Sequence, residues 1–230
     1  MAISVHTISL GIANVFILNN RGTVLIDCGP PKKADVFIKQ LEAAGIKAQE
    51  IGLIIITHGH WDHIGSAADI KKLIGADIVM HQQEKKWLEE LYESPLHGVG
   101  IWGKILAKTM VPAMKPFIHV RPAAVDIALD QFPFSLEPYG IAGRIIHTPG
   151  HTTGSISVLL DSGEAIVGDM AMNSLPMRLS PGLPTFVENL EALVASWRML
   201  LKENLKIIYP SHGGPFSPDI IRQALSRYTL

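Results

Sequence analysis

Runs of apolar residues broken by turn residues predict the elements of this chain. "ISVHTISL", "ANVFILNN" and "TVLIDCG" are β-rich, and "NNRG" between the last two is a turn signal. "PPKKADVFIKQLEAAG" predicts a helix with proline near its start, Val36, Phe37 and Leu41 on one side, and Gly45 as its stop. "GLIIITH" is almost wholly apolar, as expected of a strand buried on both faces. "SAADIKKLIG" reads as a second helix and "ADIVMH" as a further strand, so the first 80 residues run β-β-β-α-β-α-β.

Residues 82–122 break that rhythm. The segment is helical in character but is interrupted by Pro95, Gly98, Gly100, Gly103, Pro112 and Pro116, and it is rich in Trp, Leu, Ile and Met. Two readings stand side by side. The segment is either a lid or pocket wall beside a site, or a set of helices packed on the core or on a second subunit.

Strands resume at "FSLEPYG", "AGRIIHTPG", "SISVLL" and "EAIVGD". "TFVENLEALVASWRMLLKEN" predicts a helix with a capping-box spacing at Thr185 and Glu188 and an apolar stripe through Leu190, Leu193, Val194, Trp197 and Leu201. "KIIYP" is a last strand, and Ser217 with Pro218 opens a closing helix. No linker or repeat interrupts the chain, so residues 1–230 read as one domain with a helical insertion at about 82–122.

Composition bounds the function. A 230-residue chain that is 47% hydrophobic and 18% charged is large enough for a sizeable core. The net charge of −1 and the lack of a Lys/Arg run argue against a nucleic-acid partner, which would need a basic patch. The single cysteine, Cys28, allows no intrachain disulfide and fits a reducing compartment. The opening residues lack the basic and apolar regions of an export signal, and no apolar run reaches the length of a membrane span. The expectation is a cytoplasmic protein that acts on a small molecule, without a membrane partner; the apolar middle segment suits a homodimer.

The candidate chemistry is concentrated at strand ends. "IIITHGHWDHIG" places His58, His60, Asp62 and His63 directly after an apolar strand. "IIHTPGH" delivers His151, "AIVGD" delivers Asp169 and "IIYPSHGG" delivers His212, each beside glycine. Four strand ends that converge on one edge of a rigid scaffold make a site. His58 and His60, two apart in extended chain, would lie about 6.6 Å apart on one face and could share an ion. Asp62 and His63 follow where the chain turns and could address a second ion, and the two oxygens of Asp169 suit a bridge. A lone histidine after a strand is more often a core or surface residue, and His6, His81, His97, His119 and His147 are read that way. A cluster of imidazoles and an acid would cost stability without a ligand to bind. Such donors suit zinc, iron, manganese or cobalt.

The ordered set HxHxDH, "TPGHTTGS", "GD" and "SHGG" resembles the metallo-β-lactamase superfamily of metallohydrolases over residues 12–214, and "NVFILNNRGTVLIDCG" is similar to that family's opening hairpin. The resemblance implies an α/β fold, an αββα four-layer sandwich of two mixed sheets with a dinuclear site along one edge. It implies that His58, His60 and His151 bind one metal, that Asp62, His63 and His212 bind the other, and that Asp169 bridges them. Two divalent ions are implied, zinc first, with iron or manganese as alternatives. Asp27 matches an aspartate that supports the ligands from behind, and Cys28 is read as core filler. The implied mechanism is attack by a metal-bridging hydroxide, with Asp62 orienting the nucleophile or shuttling its proton.

Within the superfamily the substrate is left open. β-Lactamases lack the aspartate matched by Asp169. Glyoxalase II continues into a longer helical region, and its segment after "GD" differs from "MAMNSLPMR" here. Acyl-homoserine lactonases carry tyrosine where this chain has Met172. What is expected is hydrolysis of an ester, thioester or lactone of a small, partly apolar substrate, with Trp87, Trp102, Met172 and Arg178 as pocket candidates. Iron-dependent redox chemistry on a persulfide, oxygen or nitric oxide is the first alternative. A phosphodiesterase or a non-catalytic metal-binding protein is the second.

Overall fold

Two sheets face one another, and the alternation of side chains along their strands decides what lies between them. The computed structural model describes residues 3–92, 96–174 and 182–228. The first sheet has six strands in the order β1 (Ser4–Ser9), β2 (Asn14–Asn19), β3 (Thr23–Ile26), β4 (Ile51–Ile55), β5 (Asp77–His81) and β6 (Ile127–Leu129). Its first three strands are antiparallel, and from β3 onward neighbours are parallel. The second sheet holds β7 (Phe134–Ser135), β8 (Gly143–His147), β9 (Ile156–Leu160), β10 (Glu164–Ile166) and β11 (Ile207–Tyr209) in the order β11-β10-β9-β8-β7. Only β10 and β11 pair in parallel there.

Alternate residues of a strand point to opposite faces. On β2, Phe16 and Leu18 therefore turn to the middle layer with Ile26, Leu53, Ile145 and Val158. Val15 and Ile17 turn the other way, toward Phe37 and Leu41 of α1 (Ala34–Ala43) and Ile70 of α3 (Ala67–Ile74). The outer face of the second sheet packs Leu159, Ala165 and Val167 on Leu193, Trp197 and Leu200 of α6 (Leu190–Leu200) and on Ile221 of α7 (Asp219–Leu225). Three apolar layers between four layers of elements give the α/β/β/α sandwich. Among the described residues no helix is long and apolar enough to cross a membrane.

Several sequence expectations are corrected. "FSLEPYG" forms only the two-residue β7 and then a 3-10 turn at Glu137–Tyr139, and β6 was not foreseen at all. Both strands are short edges, too brief for a periodic signal. The cap of α6 is Asn189, whose side chain accepts from the Ala192 N–H, not Thr185. Glu188 instead accepts from the backbone N–H and the hydroxyl of Thr153, tying α6 to the "TPGHTTGS" loop. The last helix starts at Asp219, one residue after Pro218. In the middle segment lie α4 (Lys85–Glu89) and α5 (Gly100–Met114).

Candidate metal centre

Strand β4 ends at Ile55, and the next five residues form an irregular loop at the edge where the two sheets meet. His58 and His60 sit on this loop rather than on a strand, and a four-residue helix, α2 (Trp61–Ile64), then carries Asp62 and His63. Facing them are His151 after β8, Asp169 after β10 and His212 after β11. All seven side chains come together.

The loop brings the first three imidazoles much closer than an extended strand would. His58 Nε2 lies 3.0 Å from His60 Nδ1, and His151 Nε2 lies 3.1 Å from the first and 2.9 Å from the second. Nitrogens shared by one tetrahedral ion stand about 3.3 Å apart. His63 Nε2 lies 3.4 Å from Asp169 Oδ1 and 3.9 Å from Asp62 Oδ1. His212 Nε2 is 3.2 Å from Asp62 Oδ2 and 3.2 Å from Asp169 Oδ2. Asp169 also reaches His151 Nε2 at 3.6 Å and so lies between the two groups.

Contacts behind the rings fix which nitrogen faces inward. His63 Nδ1 donates to Asp27 Oδ2 at 2.8 Å, His151 Nδ1 to the Phe186 carbonyl at 2.8 Å, and His212 Nδ1 to the Ile12 carbonyl at 2.7 Å. The Thr57 hydroxyl commits its proton to Asp27, so it accepts from His58 Nδ1 at 3.1 Å. Each of these four rings therefore turns Nε2 toward the cluster, the arrangement a metal-binding histidine needs. Asp27 is wholly buried, also accepts the Thr57 backbone N–H at 2.8 Å, and holds a left-handed backbone at φ 61° that aspartate tolerates better than most residues.

The electrostatics divide the cluster in two. Burial, then neighbouring imidazoles, keeps His58 well below the ordinary histidine value, and burial and His151 bring His60 down to about 3. His151 is lowered too, chiefly by burial. These three are neutral and offer lone pairs. Burial also works against charge on His63 and His212, but the carboxylates of Asp169 and its neighbours outweigh it, holding His63 well above its usual value and His212 at about 10. Burial would raise Asp62 and Asp169, yet the same imidazoles hold Asp62 at about 2 and Asp169 well below the usual carboxylate range.

A cation fits this arrangement on two observations. His58 Nε2, His60 Nδ1 and His151 Nε2, on three rings held neutral, converge within 3.1 Å of one another. His63 Nε2 and Asp169 Oδ1 face each other at 3.4 Å, buried and without a well-formed hydrogen bond, which in a folded interior needs an explanation such as an ion. Among the described residues three groups could hold a metal: His58, His60 and His151; His58, His63 and Asp169; and Asp62, His63 and His212.

Sequence reasoning missed Glu84. Its carboxylate is buried and accepts from the backbone N–H of Gly59 at 2.6 Å, from the backbone N–H of Gly154 at 2.8 Å and from the Thr152 hydroxyl. It thus joins the loop of His58 and His60 to the loop of His151. Burial raises its carboxyl to about 7 against the pull of those three donors. Nothing in "HQQEKK" signals this, since an acid beside lysines reads as a solvated helix start. Thr57 was passed over for a similar reason.

The other candidates fall in different places. Cys28 is buried, and burial followed by the Asp27 carboxylate raises its thiol well above the usual value, which suits core filler. His81 and His147 stack on each other at 4.4 Å, outside the three groups. A cavity of about 380 Å³ opens above the cluster, lined by His60, Asp62, His151, Asp169 and His212 on its floor. Its walls include Met172 and the inner stripe of α5, Met110, Val111 and Met114. One side of α5 thus walls this cavity, and its opposite face exposes Ile101 and Ile105. Trp87 is buried under Gly59, outside this cavity. Trp102 is 38% exposed, more than two helical turns before Met110, and does not line this cavity. Arg178 lies outside the described residues.

Two facing mixed sheets with a His/Asp cluster at their shared edge define a class of metal-dependent hydrolases. Residues 8–212 match the metallo-beta-lactamase superfamily, and the chain belongs to it. It is similar to the probable metallo-hydrolase MJ0888 of Methanocaldococcus jannaschii, 26% identical over 204 residues that cover 87% of each chain. It is also similar to the probable metallo-hydrolase YflN of Bacillus subtilis, 28% identical over 173 residues, 73% of this chain and 64% of that one. Among solved structures it resembles the archaeal superfamily protein ST1585 from Sulfolobus tokodaii, with a TM-score of 0.71 at 23% identity, covering 99% of this chain and 86% of that one.

Proposed function

We propose that the protein is a dinuclear metal-dependent hydrolase that cleaves an ester, thioester or lactone bond of a small, partly apolar substrate. The observation that carries this reading is the set of His60, Asp62, His151, Asp169 and His212 on the floor of a cavity walled by methionine and valine, with His63 buried directly beneath Asp169. His58, His60 and His151 would hold one ion, Asp62, His63 and His212 the other, and Asp169 would lie between them. Bound there, two divalent ions would lower the pKa of a water and polarise an acyl carbonyl.

The chain's own residues supply the rest. Asp27, through Thr57 and His63, fixes two of the rings, and Glu84 holds the two ligand loops in register. Asp62 has a side chain 13% exposed, against 5% for Asp169, and both line the cavity. It would be the carboxylate that orients an attacking water or shuttles its proton. Met110, Val111, Met114 and Met172 exclude water and cover the apolar part of the substrate.

Metal analysis of natively produced protein, followed by a panel of esters, thioesters, lactones and phosphodiesters with His60→Ala as control, tests the reading. Turnover of an acyl substrate that disappears in His60→Ala supports it, and equal turnover in both proteins removes the metal mechanism. A donor set of nitrogen and oxygen without thiolate also suits iron. Iron content together with oxygen consumption would replace the hydrolase by a redox enzyme.

A further inference from the structure

The cavity above the cluster continues sideways. A second chamber of about 540 Å³ adjoins it and shares His60, Trp61, Leu96, Val111 and Ile118 with the first. Its own walls include Ile64, Trp87, Leu91 and Val120, and the exposed Tyr92, Lys115 and His119 line it as well. Of the seven residues clustered at the sheet edge, only His60 reaches it, and among the described residues no carboxylate lines it.

The two chambers therefore differ in kind. The first has a polar floor that can take a scissile carbonyl. The second is larger and mainly apolar, and binds an alkyl chain chiefly by removing apolar surface from water. Its inner wall is fixed, because Trp87 is 8% exposed, its ring lies 5.9 Å from that of His60, and a side chain at Gly59 would collide with it. Trp61 stands at the junction and lines both spaces.

We propose that the second chamber is a chain-binding subsite, which takes an unbranched apolar chain attached to the scissile bond. The substrate class is then an acyl compound with a medium-length alkyl chain, a narrower class than esters at large. The substrate assignment rests on the hydrolase reading; the chamber itself is tested by binding alone.

Linear alkanoates of 2 to 12 carbons are titrated calorimetrically into the metal-loaded protein, with Val120→Trp and Leu91→Trp as two independent ways of filling the chamber. In the wild type, affinity should rise about fourfold for each added methylene until the chamber is full. Each filling variant should cut the ratio of long-chain to acetate affinity at least tenfold, a ratio that needs no comparison of total activity. A flat series in the wild type, or an undiminished rise in both variants, overturns the proposal. In parallel, p-nitrophenyl alkanoates and alkyl acetates place the chain on the acyl or the alcohol side, and chain-length dependence in either arm supports the subsite. If alkanoates show the rise and no acyl compound is turned over, the chamber stands and the hydrolase reading fails. If acetate esters are turned over and the binding series is flat, the hydrolase reading stands and the chamber falls.

Discussion

The floor and the roof of this cavity are built on opposite principles. On the floor, His58, His63, His151 and Asp169 are 5% exposed or less, and four rings are pinned from behind by a carboxylate, a hydroxyl or a carbonyl. In the roof, α5 runs for fifteen residues with Gly103 as its one buried residue. Interconnected buried polar networks fix geometry, whereas half-exposed apolar contacts give area without direction. The comparison can be broken from either side.

The largest effect should come from the centre of the floor. Asp169→Asn keeps the shape but removes the charge that lies between the two groups. Activity on any acyl substrate should fall on the order of 10³-fold, beyond the roughly 10–100-fold typical when outer partners of metal ligands are lost. Metal content measured on the purified variant should fall with it. Full activity and full occupancy together would show that Asp169 is no part of the centre.

Metal removal separates floor from roof. A cation at 1,000 times its dissociation constant stabilises the folded state by about 4 kcal/mol. Chelation should therefore speed amide exchange in residues 56–64 and 148–155 by on the order of 10²–10³-fold, because the protons on His63 and His212 replace only part of the lost attraction. Exchange along α5, which lacks a ligand, should change much less. Equal acceleration in both regions would mean that the roof is held by the floor.

A third test lies between them in size. In Glu84→Gln, one end of the side chain becomes a donor facing either the Gly59 or the Gly154 N–H. An unsatisfied buried donor costs about 1–3 kcal/mol. Metal affinity should weaken by about 10–100-fold as the two ligand loops lose their common partner. Glu84→Asp, which keeps the charge on a shorter arm, should recover part of it; equal loss in both variants would point to a general packing defect.

The same division explains what could be read from the sequence. The floor was legible because its chemistry is local: "HGHWDH", "TPGH", "GD" and "SHGG" each keep donor and glycine within a few residues, and the buried strands before them have a clear apolar pattern. The contacts that hold it were not legible. Glu84 meets Gly59 and Gly154 across 25 and 70 residues, and His212 meets the Ile12 carbonyl across 200. The spacing expected for His58 and His60 failed because the chain leaves the sheet at Ile55 and folds the two rings together. Among pocket candidates, Met172 lines this cavity and Trp102 does not, since residue type indicates an apolar wall but only the helix phase tells which turn faces in.

The smallest predicted effect is the one that most directly defines the roof. Met110 is half-buried and lines the metal cavity from α5, away from every ligand. Met110→Ala removes apolar contact with the substrate and leaves the floor's hydrogen bonds alone. Full burial of such a side chain is worth about 1.5–3 kcal/mol, so a half-buried one contributes about 1 kcal/mol, a change of about fivefold. If the roof binds ground state and transition state alike, KM should rise by that factor for substrates with an apolar part while kcat changes less than twofold. A loss confined to kcat would place Met110 in the chemistry and erase the distinction between floor and roof.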